Sequence, residues 1–151
     1  MFSIIEDPFV NHRIASYSDA SVCIWDVRNF EKPVLSLQQS KAVSKISWCP
    51  TQWVLDSLEL KKTICSFFKF NSHSFLGVLC KESTSLSLYD IQNANGVAAE
   101  EMEPIPLERG LILTDQQNET ISSFAWHLNE ENRLLYSTTS LNIRVFIKMN
   151  W

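Results

Sequence analysis

The chain has 151 residues and a mass of 17.4 kDa, with 45% hydrophobic and 20% charged side chains, apolar enough to bury a core and too apolar for disorder along its whole length. Thirteen basic against seventeen acidic residues leave a net charge of −4, the opposite sign from a surface that grips phosphates, so nucleic acid is not an expected partner. Lys and Ser break every apolar stretch before about 18 residues, and Glu6 and Asp7 stand where a signal peptide needs its apolar run. Direct membrane insertion is therefore not expected, and the chain reads as intracellular.

Taken in chain order, the predicted strands are 13–17, 22–27, 34–38, 43–48, 75–80, 85–90, 105–108, 121–126, 133–138 and 142–147. Internal repetition carries this assignment. Ser18-Asp19-Ala20-Ser21-Val22-Cys23-Ile24-Trp25-Asp26-Val27 reappears 64 residues on as Glu82-Ser83-Thr84-Ser85-Leu86-Ser87-Leu88-Tyr89-Asp90-Ile91. It returns after 121 residues as Thr139-Ser140-Leu141-Asn142-Ile143-Arg144-Val145-Phe146-Ile147. Each copy is a polar turn followed by alternation. Val22/Ile24, Leu86/Leu88 and Ile143/Val145 share one face, and an aromatic residue (Trp25, Tyr89 or Phe146) lies on the other. Period two with one apolar side is the pattern of a half-buried strand.

A second element precedes these hairpins. Val43-Ser44-Lys45-Ile46-Ser47-Trp48-Cys49-Pro50 resembles Ile121-Ser122-Ser123-Phe124-Ala125-Trp126-His127-Leu128. A third follows them, at Lys32-Pro33-Val34-Leu35-Ser36-Leu37 and Glu103-Pro104-Ile105-Pro106-Leu107-Glu108. Proline near a strand start belongs on an edge, where its missing N–H faces solvent. The expected unit is four antiparallel strands closed by a proline-entered edge strand. That is a blade of a β-propeller, with an open β-sandwich as the alternative. The expected class is all-β: about three incomplete blades, in pieces near 1–38, 43–108 and 121–151. Propellers close with about four to eight blades, so a fragment, a truncated isoform or an incomplete gene model is expected. Val22, Ile24, Leu86, Leu88, Ile143 and Val145 would then need neighbouring blades.

Two stretches match no repeat element. Residues 52–74 read as an insertion loop with an aromatic patch, as retained intron sequence, or as a partner-binding insert. Residues 92–103, with Glu100, Glu101 and Glu103, read as a solvated acidic loop.

Chemistry-bearing side chains are sparse. Cys23, Cys49, Cys65 and Cys80 are never within four residues of one another, so no zinc knuckle or redox motif forms, and the thiols are expected to act as small hydrophobes. A Cys49–His127 nucleophile–base pair is conceivable, but both follow a tryptophan at equivalent repeat positions, which need not face each other. Asp19, Ser83 and Ser140, the turn residues nearest a central channel, are a poor set for acid–base work. No catalytic residue, cofactor, metal or small-molecule substrate is expected.

Ile24-Trp25-Asp26-Val27 is the WD-repeat signature. Asp19, Ser21 and Trp25 resemble three members of that family's hydrogen-bonded tetrad. No Gly-His dipeptide accompanies them, and position 20 is Ala where Gly is usual. Asp19, Ser21, Trp25, Asp26, Trp48, Tyr89, Asp90, Trp126 and Phe146 are therefore expected to be structural repeat positions. A closer resemblance spans most of the chain. Ile24-Trp25-Asp26-Val27-Arg28-Asn29-Phe30-Glu31-Lys32-Pro33-Val34-Leu35, with Trp48-Cys49-Pro50-Thr51, Leu88-Tyr89-Asp90-Ile91-Gln92, Glu103-Pro104 and Ser123-Phe124-Ala125-Trp126-His127, resembles the Mios (missing oocyte) family. Glu6-Asp7-Pro8 and His12-Arg13-Ile14-Ala15-Ser16 are also similar to it, whereas Leu128 replaces the family's proline.

The resemblance implies a non-catalytic scaffold subunit of the GATOR complex, promoting target-of-rapamycin signalling in response to amino acids. It also implies other protein subunits as partners, and a cytoplasmic location, peripheral at the lysosomal membrane through the complex. Members carry a C-terminal zinc-binding module, for which this chain has no cysteine–histidine cluster. The competing readings are an adaptor of an unrelated assembly, such as a vesicle coat or ubiquitin ligase, and an enzyme on a propeller.

Overall fold

A computed structural model of the chain describes residues 3–50, 74–91, 110–127 and 133–147. The described residues form strands and turns and no helix. The first sheet contains β1 (Ser3–Glu6), β2 (Arg13–Ser18), β3 (Ser21–Asp26) and β4 (Leu35–Gln38), in that spatial order. The second contains β5 (Val43–Trp48), β6 (Ser74–Cys80), β7 (Ser85–Ile91) and β8 (Gly110–Thr114), again in order. The third contains β9 (Ile121–Trp126), β10 (Arg133–Thr138) and β11 (Ile143–Ile147). All neighbouring strands are antiparallel.

The backbone fixes which residues are equivalent. The same bond runs from Asp7 N to Arg13 O, from Cys49 N to Phe75 O and from His127 N to Arg133 O. Counting from these bonds, Ile4, Ile46 and Phe124 share one position. Ile46 and Phe124 are buried against the preceding sheet, whereas Ile4 is 67% exposed. On the other face, Val22, Ile24, Leu86 and Leu88 are buried, while Ile143 and Val145 at the same positions are 77% and 56% exposed. One core joins the first and second sheets through Tyr17, Val22, Ile24, Ile46, Trp48, Leu76 and Val78. A second joins the second and third through Leu79, Leu86, Leu88, Phe124, Leu134 and Tyr136. A sheet is covered wherever the chain supplies a neighbour, and bare at the same positions where it does not.

Two boundaries differ from the sequence reading. The first sheet begins with β1, a strand missed because Asp7-Pro8 hides its tail and only four residues pair. The second sheet ends at Thr114 rather than at 108. Leu111 and Leu113 pair with Leu88 and Leu86 as Leu35 and Leu37 pair with Ile24 and Val22. The expected strand 105–108, nearly all of the insertion 52–74, and the acidic loop 92–103 lie outside the described residues.

Each of β5 and β9 takes one extra residue against its partner, at Ser44 and Ser122. A bulge disrupts the ladder and strands a carbonyl. Here the bulged serine repairs it: Ser44 Oγ donates to Leu79 O and Ser122 Oγ to Ser137 O, both at 3.1 Å.

Few glycines are available, so tight turns put other residues at positive φ: Asp19 (53°), Glu82 (49°), Asn118 (56°) and Leu141 (63°). A leucine there costs about 1–2 kcal/mol, and Leu141 is exposed with no packing to offset it. Leu141→Asn should raise stability by about 1 kcal/mol, read from the urea midpoint. Gly77 is constrained by packing instead. A Cβ there would sit 2.7 and 2.9 Å from ring carbons of buried Phe124. Gly77→Ala should therefore lower stability by about 1–3 kcal/mol, with the urea m-value unchanged.

Candidate functional site

The chemistry-bearing side chains gather at the two joints between sheets. At the first joint, the β1–β2 connection folds around Asp7. Its Oδ1 accepts from Phe9 N (2.8 Å) and Val10 N (3.2 Å), and its Oδ2 accepts from Arg13 Nε (2.7 Å). Both side chains are almost fully buried, at 0% and 5% exposure. Arg13 then crosses to the second sheet. Its Nη1 is 3.4 Å from Ile91 O, and its guanidinium lies 5.5 Å from the centre of the Trp48 ring. An ion pair this dry persists because every lobe of charge has a partner. Asp7→Ala leaves Arg13 charged and buried, and should cost about 3–5 kcal/mol in chemical denaturation.

The second device repeats. Gln39 N donates to Ala20 O and Asp115 N donates to Thr84 O, so Gln39 and Asp115 hold one position in the two linkers. Each reaches forward to a tyrosine of the next sheet. Gln39 Nε2 is 2.9 Å from the Tyr89 hydroxyl, and the Tyr136 hydroxyl donates to Asp115 Oδ1 at 3.0 Å. Around them, Tyr17 donates to Ser44 O (3.1 Å), Trp126 Nε1 donates to Ser47 O (3.2 Å), and Lys45 Nζ donates to Phe124 O (2.7 Å). These bonds tie one sheet to the next and fix their relative position, although the buried Trp48 Nε1 has no hydrogen-bond partner among the described residues.

Asp115 takes four donors, from Gln117 N, Glu119 N, the Tyr136 hydroxyl and Arg144. Burial raises its pKa, but N–H bonds from Glu119 and Gln117, the Tyr136 hydroxyl and the Arg144 charge outweigh that and hold it below the ordinary 3.8. Burial and the same carboxylate push the Tyr136 phenol up, so it remains a donor. A carboxyl with a depressed folded pKa contributes fully above its unfolded value and loses that contribution as pH falls through the folded one. Wild-type stability should therefore fall as pH drops below about 4. Asp115→Asn should flatten that part of the acid limb in a pH series of urea melts.

The structure does not bring Asp19, Ser21 and Trp25 together. Trp25 Nε1 donates to Ser16 Oγ at 2.9 Å. Ser21 instead accepts from Gln38 Nε2 at 3.0 Å, near Ser36 and Cys23. Asp19 takes part through its backbone, accepting from Val43 N. Asp26 holds Arg28 in a two-pronged ion pair at the surface, which keeps its carboxyl well below the usual range. Trp48, Tyr89 and Trp126 lie at the joints. Asp90 and Phe146 are in β7 and β11, but their side chains lie outside the described set. Asp7, Arg13, Ser16, Gln39, Lys45, Asp115 and Tyr136 were not singled out from sequence. The only signal for Gln39 and Asp115 is their place ahead of Val43 and Ile121, blurred by a two-residue difference in spacing.

Antiparallel sheets of three and four strands, repeated in chain order and stacked face to face, define a piece of a WD-repeat propeller. Comparison with known proteins narrows the class. The family model described as "MIOS, WD40 repeat" matches residues 1–150, and the chain belongs to that family. It is 36% identical over 135 residues to the GATOR2 complex protein MIOS of Danio rerio, covering 89% of this chain and 13% of that protein. It is 34% identical over 141 residues to the GATOR2 complex protein MIOS-A of Xenopus laevis, covering 93% and 13%. The GATOR2 complex protein Mio of Drosophila melanogaster is 26% identical over 137 residues, covering 88% and 14%. The chain thus spans about an eighth of the length of these relatives.

Proposed function

We propose that the chain is a non-catalytic protein-binding scaffold that joins other subunits in a GATOR2-type complex. The observation that carries this reading is the family match across residues 1–150, together with relatives named as GATOR2 components. The chemistry of the described residues supports it. Asp7, Arg13, Gln39 and Asp115 have their polar atoms committed to holding sheets together, so they are not poised to attack or protonate a substrate. Through that complex the chain promotes target-of-rapamycin signalling in response to amino acids, from the cytoplasm and the lysosomal surface.

Affinity purification of the tagged chain from cells of its own source tests the assembly. The expected result is co-recovery of the other GATOR2 subunits in amino-acid-fed cells, and less than a tenth of that recovery with Asp7→Ala. A chain that is soluble and abundant but brings down none of them sinks the proposal. The signalling half is read separately. Overexpression should change phosphorylation of target-of-rapamycin substrates on amino-acid refeeding, and an unaltered response overturns that half.

A further inference from the structure

The two joints carry the same positions with opposite chemistry. In the third sheet Arg144, opposite Tyr136 in the β10–β11 ladder, fills the space beneath the linker. Its guanidinium lies 3.3 Å from Asp115 Oδ1, 2.8 Å from Gln117 Oε1 and 3.5 Å from Glu119 Oε2. The equivalent of Arg144 in the second sheet is Ser87, opposite Val78. The equivalent of Asp115 is Gln39. Lys81 N donates to Ala42 O as Thr139 N donates to Thr120 O, which makes Lys41 the equivalent of Glu119. So a cation between two carboxylates in one joint becomes, in the other, a short serine between an amide and an ammonium.

Shortening Arg to Ser leaves a cleft of about 280 Å³, lined among others by Gln39, Lys41, Cys80, Ser83, Ser85 and Ser87. Lys41 Nζ spends one proton on Glu82 O at 3.0 Å, leaving the others for a guest. Ser83 Oγ donates to Ser85 O at 2.9 Å, while the Ser87 and Thr84 hydroxyls have no partner among the described residues. Burial pushes the Cys80 thiol up, so it adds no negative charge. The charges lining the cleft are Lys41 and, at the exposed hairpin apex, Glu82.

We propose that this cleft receives an acidic side chain of a partner polypeptide, its carboxylate meeting Lys41 and the Ser87 and Thr84 hydroxyls where Arg144 sits in the next sheet. One ammonium and a few hydroxyls, with Glu82 at the rim, hold a lone carboxylate only weakly. That strength suits one contact within a larger protein interface, not capture of a free metabolite. The inference stands on the geometry alone and does not depend on which assembly the chain joins.

The test is amide chemical-shift titration of the full chain, at low salt and pH 7, with N-acetyl-glutamate N-methylamide, its glutamine counterpart and N-acetyl-phosphoserine N-methylamide. The glutamate probe should shift Lys41 and Ser83–Ser87 with millimolar affinity, about tenfold tighter than glutamine, the contribution of one partly desolvated charge pair. Lys41→Met should abolish the preference, and Glu82→Gln should strengthen glutamate binding a few-fold. The double variant Gln39→Asp with Ser87→Arg should fill the cleft as in the third sheet and remove binding while the circular dichroism stays unchanged. Equal shifts with glutamate and glutamine, binding that survives Lys41→Met, or binding by the folded double variant each overturn the proposal. A phosphoserine probe more than about tenfold tighter than glutamate overturns the carboxylate assignment in favour of phosphate. Should one variant lose its fold, the probe comparison on the unaltered chain still decides.

Discussion

A four-stranded sheet that is apolar on both faces has to be covered on both, and this constraint governs the rest of the structure. Val22 and Ile24 are dry because the second sheet lies on them, and Leu86 and Leu88 because the third does. At about 25 cal/mol per Å² of apolar surface, covering such faces is the largest favourable contribution available to the chain. The strands themselves are short, with four to seven residues each, too short for isolated stability. Stability therefore resides between sheets more than within them.

Burying those faces also buries backbone and side-chain polar atoms, and the joints show how they are satisfied. Serines fill the bulges, tyrosines reach across to a linker, and Asp7 with Arg13 closes the first joint. Each of these contacts is directional. Hydrophobic stacking alone would let adjacent sheets slide or rotate, whereas a bond from Tyr136 to Asp115 or from Lys45 to Phe124 O fixes one angle. A scaffold needs that rigidity, because surfaces on different blades can bind a partner together only if their relative positions hold.

The same repeat geometry lets one joint differ from the other. Ser87 and Arg144 occupy one position, as do Lys41 and Glu119, with opposite consequences for charge and space. The backbone register is the same with either set, Ser87 pairing with Val78 as Arg144 pairs with Tyr136. Variation at such positions adds recognition chemistry without disturbing the stack.

The sequence by itself determined the strands and their antiparallel order in each repeat, β1 and β8 excepted. Alternation at Val22/Ile24, Leu86/Leu88 and Ile143/Val145 is a local signal, as is the Trp at the end of β5 and β9, because a strand's two faces are written in adjacent residues. It also carried the family. Only the tertiary structure decided which apolar positions are covered, since Ile143 reads like Val22 until a neighbouring sheet is or is not present. It placed the fourth strand of the second sheet at Gly110–Thr114, where Leu111 and Leu113 pair with Leu88 and Leu86. It gave Trp25 to Ser16 rather than Ser21, because cross-strand register, not sequence proximity, sets which hydroxyl the indole meets. The joints were decided there too. Arg13 with Ile91 O, Gln39 with Tyr89, and Asp115 with Tyr136 and Arg144 bring together residues 21 to 78 positions apart, and no local period records a contact between one sheet and the next.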